Sequence, residues 1–96
     1  SPEAAKARQE SGAVLVDVRE SHEYKNFHAP GAKLISLGVL ERRLKEIPSE
    51  REILVVCQSG MRSSQAAGVL SKNGYQVKNV AGGMAAWQRA GLKVVR

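Results

Sequence analysis

The chain has 96 residues, 43% of them hydrophobic and 25% charged, which suffices for one hydrophobic core and leaves too little for a second. An excess of 15 Lys and Arg over 9 Asp and Glu gives a formal charge of +6; this suits a well-solvated basic surface or attraction of a small anion or acidic partner, and no aromatic-interleaved basic stripe points to nucleic acid. No apolar run nears the about 20 residues that cross a bilayer, no signal-peptide pattern opens the chain, and one cysteine excludes an internal disulfide.

In chain order, SPEAAKARQESG predicts a short helix. Ser1 caps it, Pro2 fits its first turn, Glu3 faces the positive end of the dipole and Gly12 stops it. AVLVDV, short and valine-rich, predicts a buried strand. ESHEYKNFH predicts one or two helical turns, with Tyr24 and Phe27 on an inward face. Pro30-Gly31 breaks the chain and AKLIS offers a short strand. Leu37, Leu40, Leu44 and Ile47 recur at helical spacing, with Glu41 and Lys45 set to pair on the outer face, and Pro48 closes the segment.

EILVVC is the most hydrophobic run and predicts a central strand. A helix follows from Met61 to Lys72, with Ala66, Val69 and Leu70 inward and Asn73-Gly74 as its cap. YQVKNV predicts a strand, Gly82-Gly83 a turn into a helix whose Met84 and Trp87 share a face, and LKVV a last short strand. The alternation predicts a single α/β domain over residues 1–96, with a mostly parallel sheet between helices on both faces. There is no internal repeat, low-complexity tract or linker.

The stretch VVCQSGMRSS places the lone cysteine, Cys57, at the carboxyl end of the central strand, where open α/β sheets bind ligands. QSGMR can curl so that its amides point inward, with Gly60 supplying the backbone freedom. The following helix dipole and the guanidinium of Arg62 add positive field. Each favours thiolate over thiol, and the thiolate is the nucleophile. A cysteine ending an apolar strand also suits the core as a small hydrophobe; the Gly and Arg that follow tilt the reading toward chemistry. Cys57, His22 and His28 lack paired-ligand spacing, so no metal site is expected.

Over nearly its whole length the chain resembles the rhodanese family, the single-domain sulfurtransferases. The resemblance is carried by LVDVRESHEY at 15–24, HAPGA at 28–32, CQSGMR at 57–62 and GYQVKNVAGGMAAWQRAG at 74–91. Each piece alone is a weak match; four in order are highly specific. The resemblance implies a rhodanese-like three-layer domain and a catalytic Cys57 that takes a sulfane sulfur from an anionic donor such as thiosulfate. The persulfide then hands it to a thiophilic acceptor: cyanide in an assay, a thiol or a sulfur-accepting protein in the cell. Gln58, Ser59, Gly60, Met61 and Arg62 match the loop that cradles the persulfide, Arg62 helping to hold the donor. Asp17 matches an acid kept near the site, where it braces the loop.

His28 is expected to be a structural hydrogen-bonding residue, His22 exposed and Trp87 core. No cofactor, nucleic acid or membrane is implied, and the expected state is a monomer in the cytoplasm, with a periplasmic location left open. Related domains usually have a short strand before the region matching SPEAAKARQE, and this chain begins at that helix.

Two other classes compete. Cysteine-dependent phosphatases of similar architecture carry arginine six positions after the cysteine, whereas Arg62 lies five after Cys57 and position 63 is serine. A non-enzymatic interaction domain would not need Cys57 together with Arg62. A persulfide carrier that turns over thiosulfate poorly is not separable from an enzyme by sequence.

Overall fold

A computed structural model describes residues 1–96. Four short strands form one sheet in the order β2-β1-β3-β4, all parallel: β1 Val14–Asp17, β2 Lys33–Leu34, β3 Ile53–Val56 and β4 Val77–Asn79. Helices α1 (Pro2–Glu10), α2 (Ser21–Asn26), α3 (Met61–Lys72) and α4 (Gly83–Arg89) connect and flank them. The parallel crossovers bury both faces of β3, whose four residues are all sealed from solvent.

Side chains alternate along each strand, and this alternation splits the core in two. Leu15, Leu54 and Val56 point to one face, where they meet Phe27, Met84 and Trp87. Val16, Val18, Ile53 and Val55 point to the other, against Ile35, Leu40, Ala66 and Leu70. Cys57 continues the odd-numbered row and faces the second core, beneath α3. The expected α/β architecture with a parallel sheet and helices on both sides is what the chain adopts. No helix is long and apolar enough to cross a membrane.

Local signals act as predicted in several places. The Ser1 hydroxyl accepts the Ala4 amide at 3.2 Å, Pro2 opens α1, and Asn73 followed by Gly74 at φ 86° ends α3. Trp87 is buried and donates its indole N–H to the Lys93 carbonyl at 3.0 Å.

Three expectations need correction. Residues Leu37–Glu46 form a 3-10 helix with a kink at Arg43 (φ −121°), rather than an α-helix. In that winding residues three apart eclipse, so Glu46 pairs with Arg43 at 2.7 Å and the expected Glu41–Lys45 pair does not form. The Tyr75 hydroxyl holds the far end through the Leu44 and Ile47 carbonyls, both at 2.9 Å. The LKVV segment is no strand: it makes one antiparallel bridge, Val95 with His28, and the Lys93 carbonyl is taken by the Trp87 indole rather than by a neighbouring strand. Phe27 packs inward, but from just beyond the end of α2; Tyr24, half-buried, packs against the same core from within the helix.

Candidate active site

Residues 57–60 connect the carboxyl end of β3 to α3, whose first two residues are Met61 and Arg62. Gly60 sits at φ 111°, a conformation in which a side chain would be strained, and from there its amide donates to the Cys57 Sγ at 3.0 Å. The Ser63 hydroxyl lies 3.3 Å from the same sulfur. Burial pushes the Cys57 thiol pKa up, but the Ser63 hydroxyl and the amides of Ser63, Gly60 and Ser59 pull it down further, so it falls below its ordinary value. Cys57 is only 1% exposed, yet it is not sealed among aliphatics: donors converge on the sulfur.

The amides point inward because the carbonyls are held outward. In a trans peptide the C=O and the next N–H point in opposite directions, and the chain has no cis bond. The Cys57 carbonyl accepts from Met84 N at 2.8 Å and the Gln58 carbonyl from Ala85 N at 3.1 Å, both at the start of α4. The Gly60 carbonyl accepts from Ser64 N at 3.1 Å and from Asn79 Nδ2 at 3.1 Å. Fixing the Gln58 oxygen turns the Ser59 N–H to the opposite side of the loop, where it serves the sulfur together with the amides of Gly60 and Ser63. Such close contact with α4 requires Gly83: a Cβ there would lie 2.4 Å from the Cys57 carbonyl oxygen.

Asp17 and Arg19 form a second support. Both are fully buried, and Arg19 donates to both Asp17 carboxylate oxygens, at 2.8 to 3.1 Å. Its remaining N–H groups reach the Phe27 carbonyl at 2.7 Å and the Gln58 side-chain oxygen at 3.4 Å. Asp17 therefore lies one residue removed from the loop and touches it through Arg19.

Arg62 is not aimed at the sulfur. Its two terminal nitrogens donate to the two carboxylate oxygens of Glu23 on α2, at 2.7 and 2.8 Å. The fork-to-fork contact holds the Glu23 carboxyl down at about 2. Met61 is 78% exposed, so only its backbone can serve the loop, and Ser59 is exposed as well. His28 stacks on the Tyr24 ring at 3.7 Å and donates Nδ1–H to the Tyr24 carbonyl at 2.8 Å, away from the sulfur; His22 is exposed.

Sequence reasoning missed Arg19, Glu23, Ser63 and Asn79. A signal existed for two of them: Arg19 follows Asp17 by two at a strand end, and Ser63 lies in the first turn of the helix that faces Cys57. Nothing in the local sequence ties Glu23 or Asn79 to the loop.

The arrangement can hold a sulfur anion in a ring of amides and one hydroxyl, at a strand end, with no general base in contact. A family model described as rhodanese-like domain matches residues 1–90. A sulfurtransferase of Allochromatium vinosum is 39% identical over 83 residues, covering 85% of this chain and 78% of that protein. A putative sulfur carrier protein of Bacillus subtilis, YrkF, is 42% identical over 90 residues; the match takes in 91% of this chain and 49% of the relative, so this chain spans about half its length. The crystal structure of a rhodanese-related protein from Thermoplasma volcanium superposes with a TM-score of 0.89 at 27% identity, covering 96% of this chain and 92% of that one.

Proposed function

The chain belongs to the rhodanese family, to which sulfurtransferases belong, and on that premise we propose that Cys57 carries a sulfane sulfur from an anionic donor, such as thiosulfate, to a thiophilic acceptor. The Cys57 thiolate attacks the outer sulfur of the donor. A bond forms between Sγ and that sulfur, the donor's S–S bond breaks, and the electron pair leaves with sulfite. An acceptor thiolate or cyanide then attacks the outer sulfur of the persulfide and returns Cys57 as thiolate. No electron is gained or lost overall, and no cofactor is called for.

The observation that carries this reading is the Gly60 amide at 3.0 Å from Sγ, together with the lowered thiol pKa. Donors fixed before the reaction stabilise a sulfur anion without reorganising. Gln58, Ser59, Gly60 and Met61 contribute through their backbone, Arg62 as half of the ion pair with Glu23 beside the loop, and Asp17 by fixing Arg19 against Gln58. A reducing compartment such as the cytoplasm would keep this lone thiol available, and we read the working unit as a monomer.

Thiosulfate should add one sulfur atom to the intact protein by mass, and cyanide should remove it as thiocyanate. Cys57→Ser should abolish both steps while its circular dichroism stays unchanged. A wild-type protein that gains no sulfur from thiosulfate or from a thiol persulfide would overturn the proposal. The similarity to a sulfur carrier favours a second reading, in which the persulfide is delivered to a protein. Full loading in a single turnover, with slow steady-state release to cyanide, would select it.

A further inference from the structure

The two guanidinium groups that reach this loop are each matched by a carboxylate. Arg19 is joined to Asp17, and Arg62 to Glu23. Glu23 is also held in place from its own side: its carboxylate accepts the Glu20 amide at 2.9 Å, closing the capping box that starts α2. It therefore belongs to the rigid start of a helix and does not swing freely. Both side chains of the Arg62–Glu23 pair keep contact with solvent, 37% and 23% exposed, and Arg62 is near enough to feel the charge of Cys57, so the pair stands on the solvent side of the site rather than beneath it. Glu20, exposed and close enough for its charge to act on Arg62, adds a further negative group.

The chain's formal charge of +6 is thus not focused on its one sulfur. Summed over Arg62 and Glu23, the pair carries no net charge, and the Cys57 thiolate below it is itself an anion. A dianion such as thiosulfate meets this arrangement at a disadvantage that a singly charged donor feels half as strongly.

Resting on the sulfur-transfer reading above, we infer that Glu23 is a specificity-determining positioning residue, which neutralises Arg62 and biases the site from dianionic donors toward the singly charged persulfide of a thiol. In that reaction the Cys57 thiolate attacks the outer sulfur of R–S–S⁻. The new Sγ–S bond replaces the old S–S bond, and R–S⁻ leaves with the electron pair, so charge and atoms balance.

The test is a charge series at one place: wild type, Glu23→Gln, Arg62→Ala and the double variant set the pair's charge to 0, +1, −1 and 0. Sulfur loading from thiosulfate and from the persulfide of 2-mercaptoethanol is followed by mass at low salt. For a donor taken to lie about 6 Å from the pair, Coulomb's law in water gives about tenfold per unit of charge for the dianion and about threefold for the monoanion. Glu23→Gln should therefore speed thiosulfate loading about tenfold, Arg62→Ala should slow it by as much, and the double variant should return near wild type.

The ratio of Cys57 alkylation by iodoacetate to that by iodoacetamide reports the same potential without any sulfur chemistry. It should follow the same order, and added salt should flatten it. A thiosulfate rate that ignores the series, or a Glu23→Gln effect equal for both donors, overturns the inference and leaves the sulfur-transfer reading standing. A protein that loads from neither donor removes both, whatever the alkylation ratio does.

Discussion

The Ser63 hydroxyl has one proton and two acceptors within reach. Asn79 Oδ1 lies 2.6 Å away and the Cys57 sulfur 3.3 Å. The Gly60 carbonyl can only accept, so it fixes the Asn79 amide with Nδ2 toward itself and Oδ1 toward Ser63. While the sulfur is a thiol, the shorter contact holds the proton on the Asn79 side. Once the sulfur is ionised, the hydroxyl gains more by turning to it, because hydrogen bonds to charged acceptors are the stronger ones. Removing the hydroxyl should raise the Cys57 pKa. The midpoint of iodoacetamide alkylation against pH is expected to move up in Ser63→Ala, because a bond to the charged sulfur is lost. A midpoint that stays in place would mean the proton never leaves Asn79. Cys57 and Gly60 were legible because each is locally unusual, a lone thiol at a strand end and a glycine before a helix. Ser63 gains its meaning from Asn79, 16 positions on, and Arg62 from Glu23, 39 positions back. Such pairings exist only after the sheet has formed.

At the scale of elements, the start of α4 works as a clamp on the loop. Gly83 at φ 60° has the Cys57 and Gln58 carbonyl oxygens 2.4 and 2.5 Å from where a Cβ would stand. Gly83→Ala should cost about 2 kcal/mol or more, from left-handed backbone strain and displaced carbonyls, and should lower sulfur loading along with the denaturation midpoint. Gly68, inside α3 with open space around it, makes the contrast: Gly68→Ala should raise stability by about 0.5–1 kcal/mol and leave loading alone. The order of strands and helices was readable from runs of valine and isoleucine and from turn residues. The turn at Gly82-Gly83 was readable as a turn, but not as a backbone contact to a loop 25 positions earlier in the chain. The 3-10 winding of Leu37–Glu46 was hidden because a 3-4-3 spacing of leucines fits either helix, and the kink at Arg43 restores the register. The last apolar stretch read as a strand because composition does not say whether an edge is within reach.

Across the whole molecule, the Arg62–Glu23 pair ties α2 to α3 over the end of the sheet. Glu23, at about 2, is depressed relative to its ordinary 4.5. Its contribution to stability is therefore complete above about pH 5 and is lost as pH falls toward 2. After allowance for solvent screening of this partly exposed pair, that contribution is about 1–2 kcal/mol. Urea denaturation at pH 7, 4 and 3 should show Glu23→Gln less stable than wild type at pH 7, with the gap narrowing at each step down in pH. A gap of constant size would mean the carboxylate does not titrate through the pair.

The depth of Cys57 has a mechanical result. With the residue 1% exposed, a large acceptor cannot press its own reactive atom against Sγ. A bound cargo atom would stand about 2.05 Å further out, the length of one disulfide bond. On the proposed reading the load would be its own extension arm: the empty site hides its hook, and only the filled one would reach a neighbour.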